Sequence, residues 1–169
     1  MTLDKIKVFC TDIDGVWTDG SMYYTENGDE IKRFHTYDSA GVLLLKHIGI
    51  PTVIITSENT KIVKKRSRKL NIKHVYQGIE EKLNVCEEIC RDFNINLENI
   101  AYIGDDVNDI SLLKKVGLSA APLNAPDYVQ NIVNWVIPIV GGSGVYRAFV
   151  EKFLKEIGQF NYCLKEQIK

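Results

Sequence analysis

The alternation of apolar runs with helical patterns constrains the fold of this chain most strongly. The apolar runs are rich in β-branched residues and predict strands buried on both faces, at 6–13, 51–56, 100–103 and 135–139. Helical periodicity separates them, at 40–47, 61–70, 82–93, 109–116 and 144–157. This order predicts an α/β fold with three layers, a Rossmann-like parallel sheet with helices on both faces. Ligands of such sheets bind beyond the carboxyl ends of the strands.

One segment departs from the alternation. Two short β-like stretches flank Glu26-Asn27-Gly28-Asp29, in which Asn-Gly is a strong hairpin-turn signal. We therefore expect a projecting β-hairpin over about 21–34. The tail at about 158–169 is expected to fray or to dock on a neighbour. The chain shows no repeat, low-complexity tract or linker, so we expect 1–169 to form a single domain.

Charge and cysteine content narrow the classes of protein. The 21 basic and 22 acidic residues give a net charge of −1, so no global field favours nucleic acid or an anionic membrane. Four cysteines lack the spacing of a zinc ribbon or a disulfide framework, and we expect buried or half-buried free thiols. No apolar run approaches the ~18 residues of a membrane span, and we expect a cytoplasmic protein.

Acidic motifs follow two of the predicted strands. Asp12-Ile13-Asp14-Gly15 ends the first strand, and its glycine predicts a turn that brings both carboxylates into one loop. Gly104-Asp105-Asp106-Val107-Asn108-Asp109 follows the strand at 100–103. Alone, the first motif is also compatible with two acids that merely solvate a turn. Two such clusters at one sheet edge indicate a site for a hard cation such as Mg²⁺.

Other segments near the predicted strand ends offer groups that suit a phosphoryl ligand. Thr56 and Ser57 provide hydroxyls and backbone N–H donors ahead of a helix. Lys82 begins its helix, where a cation opposes the helix dipole and needs another reason to be present, although a solvated surface lysine is the simpler alternative. Gly141-Gly142-Ser143-Gly144 is expected to be a phosphate cradle or, in preference, a flexible loop at the site mouth.

The order of these motifs resembles that of the haloacid dehalogenase superfamily of phosphatases over nearly the whole chain. The resemblance implies that Asp12 attacks phosphorus and forms an aspartyl-phosphate. It implies that Asp14 acts as general acid and then as general base. Thr56 and Lys82 would complete the catalytic group by binding the phosphoryl oxygens.

The same resemblance implies Mg²⁺ as cofactor. Its ligands would be Asp12, the backbone carbonyl of Asp14, and Asp105. Asp106 and Asp109 would lie behind these residues and fix ligands and waters. The ion would offset phosphate charge that otherwise repels the attacking carboxylate.

Larger members of the superfamily carry a cap domain over the site. In this chain the segment 12–56 has room only for the hairpin and one helix, and the segment 56–82 has room only for one helix and a short strand. Neither segment has room for a cap domain. The chain resembles the capless sugar-acid phosphatases, which are tetramers whose projecting hairpins pack together and help close a neighbour's site. The resemblance implies a homotetramer with shared active sites, a sugar-acid phosphate substrate, and no nucleic-acid or membrane partner.

Within that subfamily, two departures from the pattern bear on the substrate. Enzymes for 3-deoxy-manno-octulosonate 8-phosphate usually read Asp-Gly-Tyr-Gly and, after the second motif, Gly-Arg. This chain reads Asp38-Ser39-Ala40-Gly41 and Ser57-Glu58. It therefore resembles the branch acting on 2-keto-3-deoxynonulosonate 9-phosphate or N-acetylneuraminate 9-phosphate, with the eight-carbon substrate as the alternative. The substrate-binding residues implied are Asp38, Ser39, Ser57, Glu58, Arg66 and Lys69.

Three alternatives remain at this point. Arg66 and Lys69 would meet the substrate carboxylate, but they also fit an ordinary solvated helix face. A phosphorylated receiver domain shares the acidic pair, threonine and lysine, but places the phospho-accepting aspartate on a middle strand. A catalytically idle assembly domain is the other rival, although all four motifs are intact.

Overall fold

The computed structural model describes residues 3–168. The strands in this range are β1 (Val8–Thr11), β2 (Tyr23–Tyr24), β3 (Glu30–Ile31), β4 (Thr52–Thr56), β5 (His74–Gln77), β6 (Ile100–Ile103), β7 (Leu118–Pro122) and β8 (Trp135–Ile137). The α-helices are α1 (Asp38–Lys46), α2 (Lys61–Lys69), α3 (Lys82–Phe93), α4 (Ile110–Leu113), α5 (Asp127–Gln130), α6 (Val145–Glu156) and α7 (Phe160–Ile168). Short 3-10 helices lie at Leu3–Lys5, Leu97–Asn99 and Val107–Asp109.

The predicted parallel sheet with helices on both faces is confirmed. Its six strands follow the order β5, β4, β1, β6, β7, β8, and every neighbouring pair is parallel. Thr11, at the end of β1, is in register with Ile54 of β4 and Ile103 of β6. The carboxyl ends of these three central strands therefore lie together at one edge, where the motifs that follow them meet.

Two apolar layers enclose the sheet. Phe9 of β1 faces the layer of α1, α6 and α7, where its ring lies 5.1 Å from that of Phe149 and 4.8 Å from that of Phe153. The next residue, Cys10, faces the opposite layer, which includes residues of α3 and α4. Because β1 is buried on both faces, its sequence is an unbroken apolar run rather than an alternating one.

The sequence patterns did not predict β7 or α5. The β7 segment Leu118–Pro122 has the sequence LSAAP, which is rich in small residues of low strand propensity. It is stabilised by pairing with β6 on one side and β8 on the other. The Ser119 N–H also donates to Asn134 Oδ1 at 2.8 Å. Its strand character thus comes from tertiary contacts. The helix predicted at 109–116 forms only as the short α4.

The predicted hairpin is confirmed, with strands shorter than expected. Tyr23 pairs with Ile31 and Tyr24 pairs with Glu30 in antiparallel register. Between β1 and α1 the chain holds this hairpin and no other strand or helix.

The tail forms a helix rather than a frayed end. Residues Phe160–Ile168 form α7, which packs on α1 and α6 of the same chain. Cys163 is fully buried in the core, and the Lys155 ammonium lies 4.8 Å from the centroid of the Phe160 ring. A fraying tail is therefore wrong for 160–168, whereas docking of its outer face on a neighbour stays a prediction.

The expectation for the cysteines is confirmed. All four cysteines are free and buried, as the sequence predicts. Within residues 3–168, no helix combines the length and apolar character needed to cross a membrane.

Candidate active site

The loops after β1, β4 and β6 surround a cavity of about 220 Å³ at the carboxyl edge of the sheet. The residues lining it are Asp12, Asp14, Gly15, Gly20, Thr56, Ser57, Glu58, Asp105, Asp106 and Asn108. The sequence motifs that were expected to converge are thus brought together by strand order alone. The surface of this cavity is largely carboxylate, hydroxyl and amide groups, which suits a charged, hydrated ligand.

Asp12 lies at the floor of the cavity and is held at both oxygens. Its Oδ1 accepts the N–H of Ile13 at 2.7 Å, and its Oδ2 lies 3.0 Å from Lys82 Nζ. Burial and the nearby charge of Asp109 raise the pKa of Asp12 to about 7, against the opposing effect of Lys82. The contacts fix the direction in which the carboxylate faces, as a nucleophile requires.

Lys82 is fully buried, so the solvated-lysine alternative is wrong. Its Nζ lies 3.0 Å from Asp12 Oδ2 and 2.6 Å from Asp109 Oδ1. Burial alone would lower the pKa of Lys82, but the two carboxylates outweigh it and the pKa is raised. These partners explain why a cation occupies the first position of α3 despite the helix dipole.

Asp109 lies beneath the cavity lining and accepts hydrogen bonds from several site residues. Its Oδ1 accepts hydrogen bonds from Lys82 Nζ and from the Tyr102 hydroxyl. Its Oδ2 accepts the backbone N–H groups of Asp105 at 2.8 Å and Asp106 at 3.2 Å. Because both oxygens are occupied, Asp109 fits the predicted supporting position better than that of a direct metal ligand. Tyr102 was missed by the sequence reasoning, although it is the one polar-tipped side chain in β6.

The arrangement of acids fits a divalent cation. Carboxylate oxygens of Asp12, Asp105 and Asp109 lie within 4.8 Å of one another, and the ammonium of Lys82 pairs with two of them. Among the described residues, Oδ1 of Asp105 is buried without a hydrogen-bond partner. Burial and the charges of Asp12 and Asp109 raise the pKa of Asp105 to about 8. Mg²⁺ favours a negatively charged site of oxygen ligands, in which a carboxylate oxygen without a hydrogen-bond partner can coordinate the ion.

Gly15 permits this approach of Asp105. A Cβ at position 15 would overlap the Asp105 carboxylate, and the φ of Gly15 is +82°. Both facts require glycine, which explains the residue that follows the Asp-x-Asp pair. Asp106 lies at the rim, where its Oδ1 accepts the N–H of Val107 at 2.7 Å and caps a 3-10 helix.

Asp14 has a partner that the sequence reasoning did not identify as a site residue. Its Oδ2 lies 2.6 Å from the Nζ of Lys32, which follows β3 of the hairpin. Its Oδ1 accepts the hydroxyl of Thr18 at 3.2 Å. The sequence placed Lys32 only within the predicted hairpin at about 21–34, and nothing in it paired this lysine with Asp14.

Ser57 and Glu58 extend the site on the β4 side. The Ser57 hydroxyl donates to the carbonyl of Ile79 at 2.9 Å and accepts from Asn108 Nδ2 at 2.9 Å. This contact joins the loops that follow β4, β5 and β6. Glu58 is exposed at the cavity wall, where its carboxylate is open to a ligand. Asn108 was not predicted as a site residue.

Arg66 and Ser39 are joined to each other, outside the lining of the cavity. Arg66 Nη2 donates to Ser39 Oγ at 2.9 Å and to the carbonyl of His35 at 3.2 Å. The Arg66 guanidinium also lies 5.7 Å from the centroid of the Phe34 ring. These contacts fix the segment between the hairpin and α1, and a substrate-binding role for the pair stays a prediction.

The prediction that Asp38 contacts substrate is wrong in this structure. Asp38 is 0% exposed, and its Oδ1 accepts the N–H of Arg147 at 3.1 Å. Arg147 lies in the first turn of α6, whose N-cap residue, Gly144, has no side chain. Asp38 therefore caps α6 from another part of the chain. Burial raises its pKa to about 6, although the amide donors and the charges of Arg66 and Arg147 oppose the shift.

Lys69 is not brought to the site of its own chain. It is exposed, at the last position of the nine-residue helix α2. This helix begins after β4 at the carboxyl edge, so at ~1.5 Å per residue its end lies about 12 Å further along the axis. The periodicity that groups Lys69 with Arg66 identifies a helix face but not the distance from the sheet edge.

The glycine loop at 141–144 is neither a phosphate cradle nor an open loop. The N–H of Gly141 donates to Asn124 Oδ1 at 2.8 Å, and the N–H of Gly142 donates to the carbonyl of Val16 at 2.9 Å. A Cβ at position 141 would overlap the carbonyl oxygen of Gly15. The loop is buried against the Asp12 loop, and these two amides are unavailable to an anion.

Comparisons with known proteins identify the family of the chain. The sequence profile of the haloacid dehalogenase-like hydrolases matches residues 53–149. The 3-deoxy-D-manno-octulosonate 8-phosphate phosphatase of Haemophilus influenzae is 35% identical over 157 residues, which are 93% of this chain and 87% of the relative.

Solved structures of phosphatases share the fold of this chain. The phosphatase for the same substrate from Moraxella catarrhalis, in complex with magnesium, phosphate and the sugar acid, has a TM-score of 0.93 at 30% identity, covering 97% of this chain and 94% of that one. The cobalt-bound H. influenzae enzyme has a TM-score of 0.89 at 35% identity, covering 94% and 92%.

These matches confirm the predicted class of enzyme, a phosphoric monoester hydrolase. They favour the eight-carbon alternative over the nine-carbon substrate that the two departures suggest. On sequence, fold and site, the chain belongs to the haloacid dehalogenase-like hydrolases.

Proposed function

We propose that this protein is a Mg²⁺-dependent phosphatase that removes the terminal phosphate of a 3-deoxy keto sugar acid, and that 3-deoxy-D-manno-octulosonate 8-phosphate is its substrate. The observation that most directly supports this proposal is the Asp12 carboxylate, which is fixed at both oxygens on the cavity floor with Lys82 and Asp105 beside it. The named activity of the similar proteins supports the choice of substrate.

In the first step, the Asp12 carboxylate attacks phosphorus and the bond from phosphorus to the sugar oxygen breaks. Asp14 gives its proton to that oxygen as the sugar acid leaves. In the second step, Asp14 takes a proton from water, whose oxygen attacks the phosphorus of the aspartyl-phosphate. Inorganic phosphate leaves and Asp12 is restored as a carboxylate.

Asp12, Asp105 and the backbone carbonyl of Asp14 would hold Mg²⁺, which supplies charge neutralisation of the phosphoryl oxygens when it is bound. Lys82 adds a fixed positive charge on the other side of Asp12. Thr56, buried at the end of β4, and the adjacent Ser57 would face the phosphoryl group. Asp109 keeps Lys82 in place through the contact at 2.6 Å.

A nine-carbon sugar acid is the second candidate, favoured by Glu58. A carboxylate at the cavity wall accepts hydrogen bonds from sugar hydroxyls, of which the longer acid has more. The arginine usual at this place in the eight-carbon branch is absent here.

We further propose that the protein associates as a homotetramer of single-domain subunits and that association covers the open site. The hairpin exposes a group of apolar side chains, those of Met22, Tyr23, Tyr24 and Ile31. An exposed apolar patch of this kind is typical of an association surface. Sedimentation of the active protein measures the state directly, and an active monomer would contradict this part of the proposal.

Phosphate release across three substrates tests the function. The panel comprises the eight-carbon acid 8-phosphate, the nine-carbon acid 9-phosphate and N-acetylneuraminate 9-phosphate, each with Mg²⁺ and with a chelator. We expect the eight-carbon substrate to have the highest kcat/KM and chelator to abolish turnover. Asp12→Asn should lower kcat by roughly 10³-fold or more, since it removes the nucleophile. Undiminished turnover by that variant would refute the mechanism, whereas a preference for either nine-carbon substrate would refute only the choice of substrate.

A further inference from the structure

Lys32 is a buried cation of the hairpin that the mechanism above leaves without a task. We propose that Lys32 is a positioning residue, which holds the Asp14 carboxylate in the orientation needed for proton transfer. This inference rests on the proposed function, because it takes Asp14 as the general acid and base. It assigns to the hairpin a part in the chemistry of its own chain.

The contact between Lys32 and Asp14 is close and enclosed. The side chain of Lys32 is 1% exposed, and its Nζ lies 2.6 Å from Asp14 Oδ2. A second carboxylate, that of Glu30, lies 3.5 Å away, too far for a strong hydrogen bond. A buried ammonium is stabilised by anionic partners, and Asp14 is the nearer of the two that Lys32 has.

Asp14 in turn depends on Lys32 for its orientation. Its side chain is 25% exposed and lines the cavity, so one part of the carboxylate is open to a ligand. Within residues 3–168, its Oδ1 is held only by the Thr18 hydroxyl at 3.2 Å, a longer and uncharged contact. Without Lys32, the carboxylate is free to rotate about its side-chain torsions. A displacement of ~1 Å of a catalytic group is enough to cost a large factor in rate.

Arg33 provides a matched control on the next position of the same hairpin. Its Nε lies 3.3 Å from Asp19 Oδ2, and its Nη2 donates to the carbonyl of Gly142 at 3.4 Å. It therefore also joins the hairpin to the loop after β1, with the same charge. However, its side chain is 59% exposed and its ion pair is with Asp19, not Asp14. Removing Arg33 loosens the hairpin without removing the partner of Asp14.

The experiment compares steady-state kinetics of wild type, Lys32→Met, Arg33→Met, Asp14→Asn and the double variant Lys32→Met/Asp14→Asn, with whichever phosphate ester the wild type hydrolyses. Positioning predicts that Lys32→Met lowers kcat roughly 10- to 100-fold and changes KM by less than about threefold. Arg33→Met should stay within about threefold of wild type in both constants. In the Asp14→Asn background, Lys32→Met should have no further effect, because the group it positions is gone.

Several results would overturn the inference. A rise in KM with unchanged kcat in Lys32→Met would mean that Lys32 binds substrate. Equal losses in Lys32→Met and Arg33→Met would mean that any loosening of the hairpin has this effect. An undiminished loss in the Asp14→Asn background would show that Lys32 acts independently of Asp14.

Two further measurements keep the test decisive. If Lys32→Met does not fold, Lys32→Gln takes its place in the same cycle; because its shorter, neutral amide can still donate to Asp14, the predicted loss of kcat is smaller and likewise disappears in the Asp14→Asn background. If Asp14→Asn alone leaves kcat unchanged, the proposed role of Asp14 fails. A large loss in Asp14→Asn with an additive loss from Lys32→Met overturns only the positioning of Asp14 by Lys32.

Discussion

Gly142 tests whether the glycine loop at 141–144 supports the Asp12 loop. Its φ is +69°, and a Cβ there would lie 2.5 Å from the backbone nitrogen of Asp19 and 2.7 Å from the carbonyl carbon of Thr18. Gly158 has the same φ of +69°, but a Cβ at that position meets no atom within 4 Å. Alanine at either position therefore introduces the same backbone strain, and only Gly142→Ala adds a steric contact.

The expected losses in free energy of unfolding follow from the backbone strain and the steric contact. Alanine in the left-handed region costs ~1–2 kcal/mol, offset by ~0.4–1 kcal/mol from reduced freedom of the unfolded chain. Gly158→Ala should thus lower the free energy of unfolding by about 1 kcal/mol. Overpacking against backbone atoms, which cannot rotate away as a side chain does, adds ~1–3 kcal/mol. Gly142→Ala should lower the free energy of unfolding by about 2–4 kcal/mol.

Urea denaturation measures these free energies, and kcat measures the effect on the site. Thr18 bonds the Asp14 carboxylate, so a displaced 18–19 backbone should lower kcat of Gly142→Ala by about tenfold. Gly158→Ala should retain the kcat of wild type. Equal losses of stability in the two variants, or an unchanged kcat in Gly142→Ala, would show that the glycine loop does not support the Asp12 loop.

Two further predictions concern metal and pH. Mg²⁺ at about 100 times its Kd should raise the free energy of unfolding by about 2.7 kcal/mol. Differential scanning calorimetry should show a smaller Mg²⁺-induced rise in Tm for Asp105→Asn than for wild type. Equal rises in Tm would place the ion elsewhere. The pKa of Asp38 is raised from 3.8 to about 6, so the folded protein binds the extra proton and its stability falls as pH rises from about 4 to 6. Asp38→Asn keeps the acceptor for the Arg147 N–H and should remove this loss of roughly 3 kcal/mol. If the free energy of unfolding of the variant depends on pH as that of wild type does between pH 4 and 7, Asp38 is not the group responsible.

The sequence could predict those site residues that depend on strand order alone. Asp12, Thr56 and Asp105 each lie at or just past the carboxyl end of a central strand, and parallel pairing brings such ends to one edge whatever the details of packing. Lys82 begins its helix against the dipole, an unfavourable position that indicated a special role. These inferences needed only the period of the apolar residues and the rules of parallel sheets.

Residues whose positions depend on tertiary docking escaped prediction. Lys32 meets Asp14 because the hairpin folds back over the loop after β1, a direction that the turn sequence does not specify. Asp38 looked like a ligand residue in its motif, but its partner is the N–H of Arg147, 109 positions away. The sequence suggested substrate binding for Asp38 and no role for Lys32, yet each side chain is buried against a partner within the protein.

The end of β3 and the residue that follows it combine the two properties through which the hairpin bears on function. Ile31 is 54% exposed on the surface proposed for association, and the next residue, Lys32, is buried against Asp14. Successive residues of an extended chain point to opposite sides, so one backbone segment presents both groups. A neighbour that packs on Ile31 also restrains Lys32, because the two side chains share that segment. If both proposals hold, the hairpin does the work of a cap in two ways, with an outer face for association and an inner lysine that positions the acid and base.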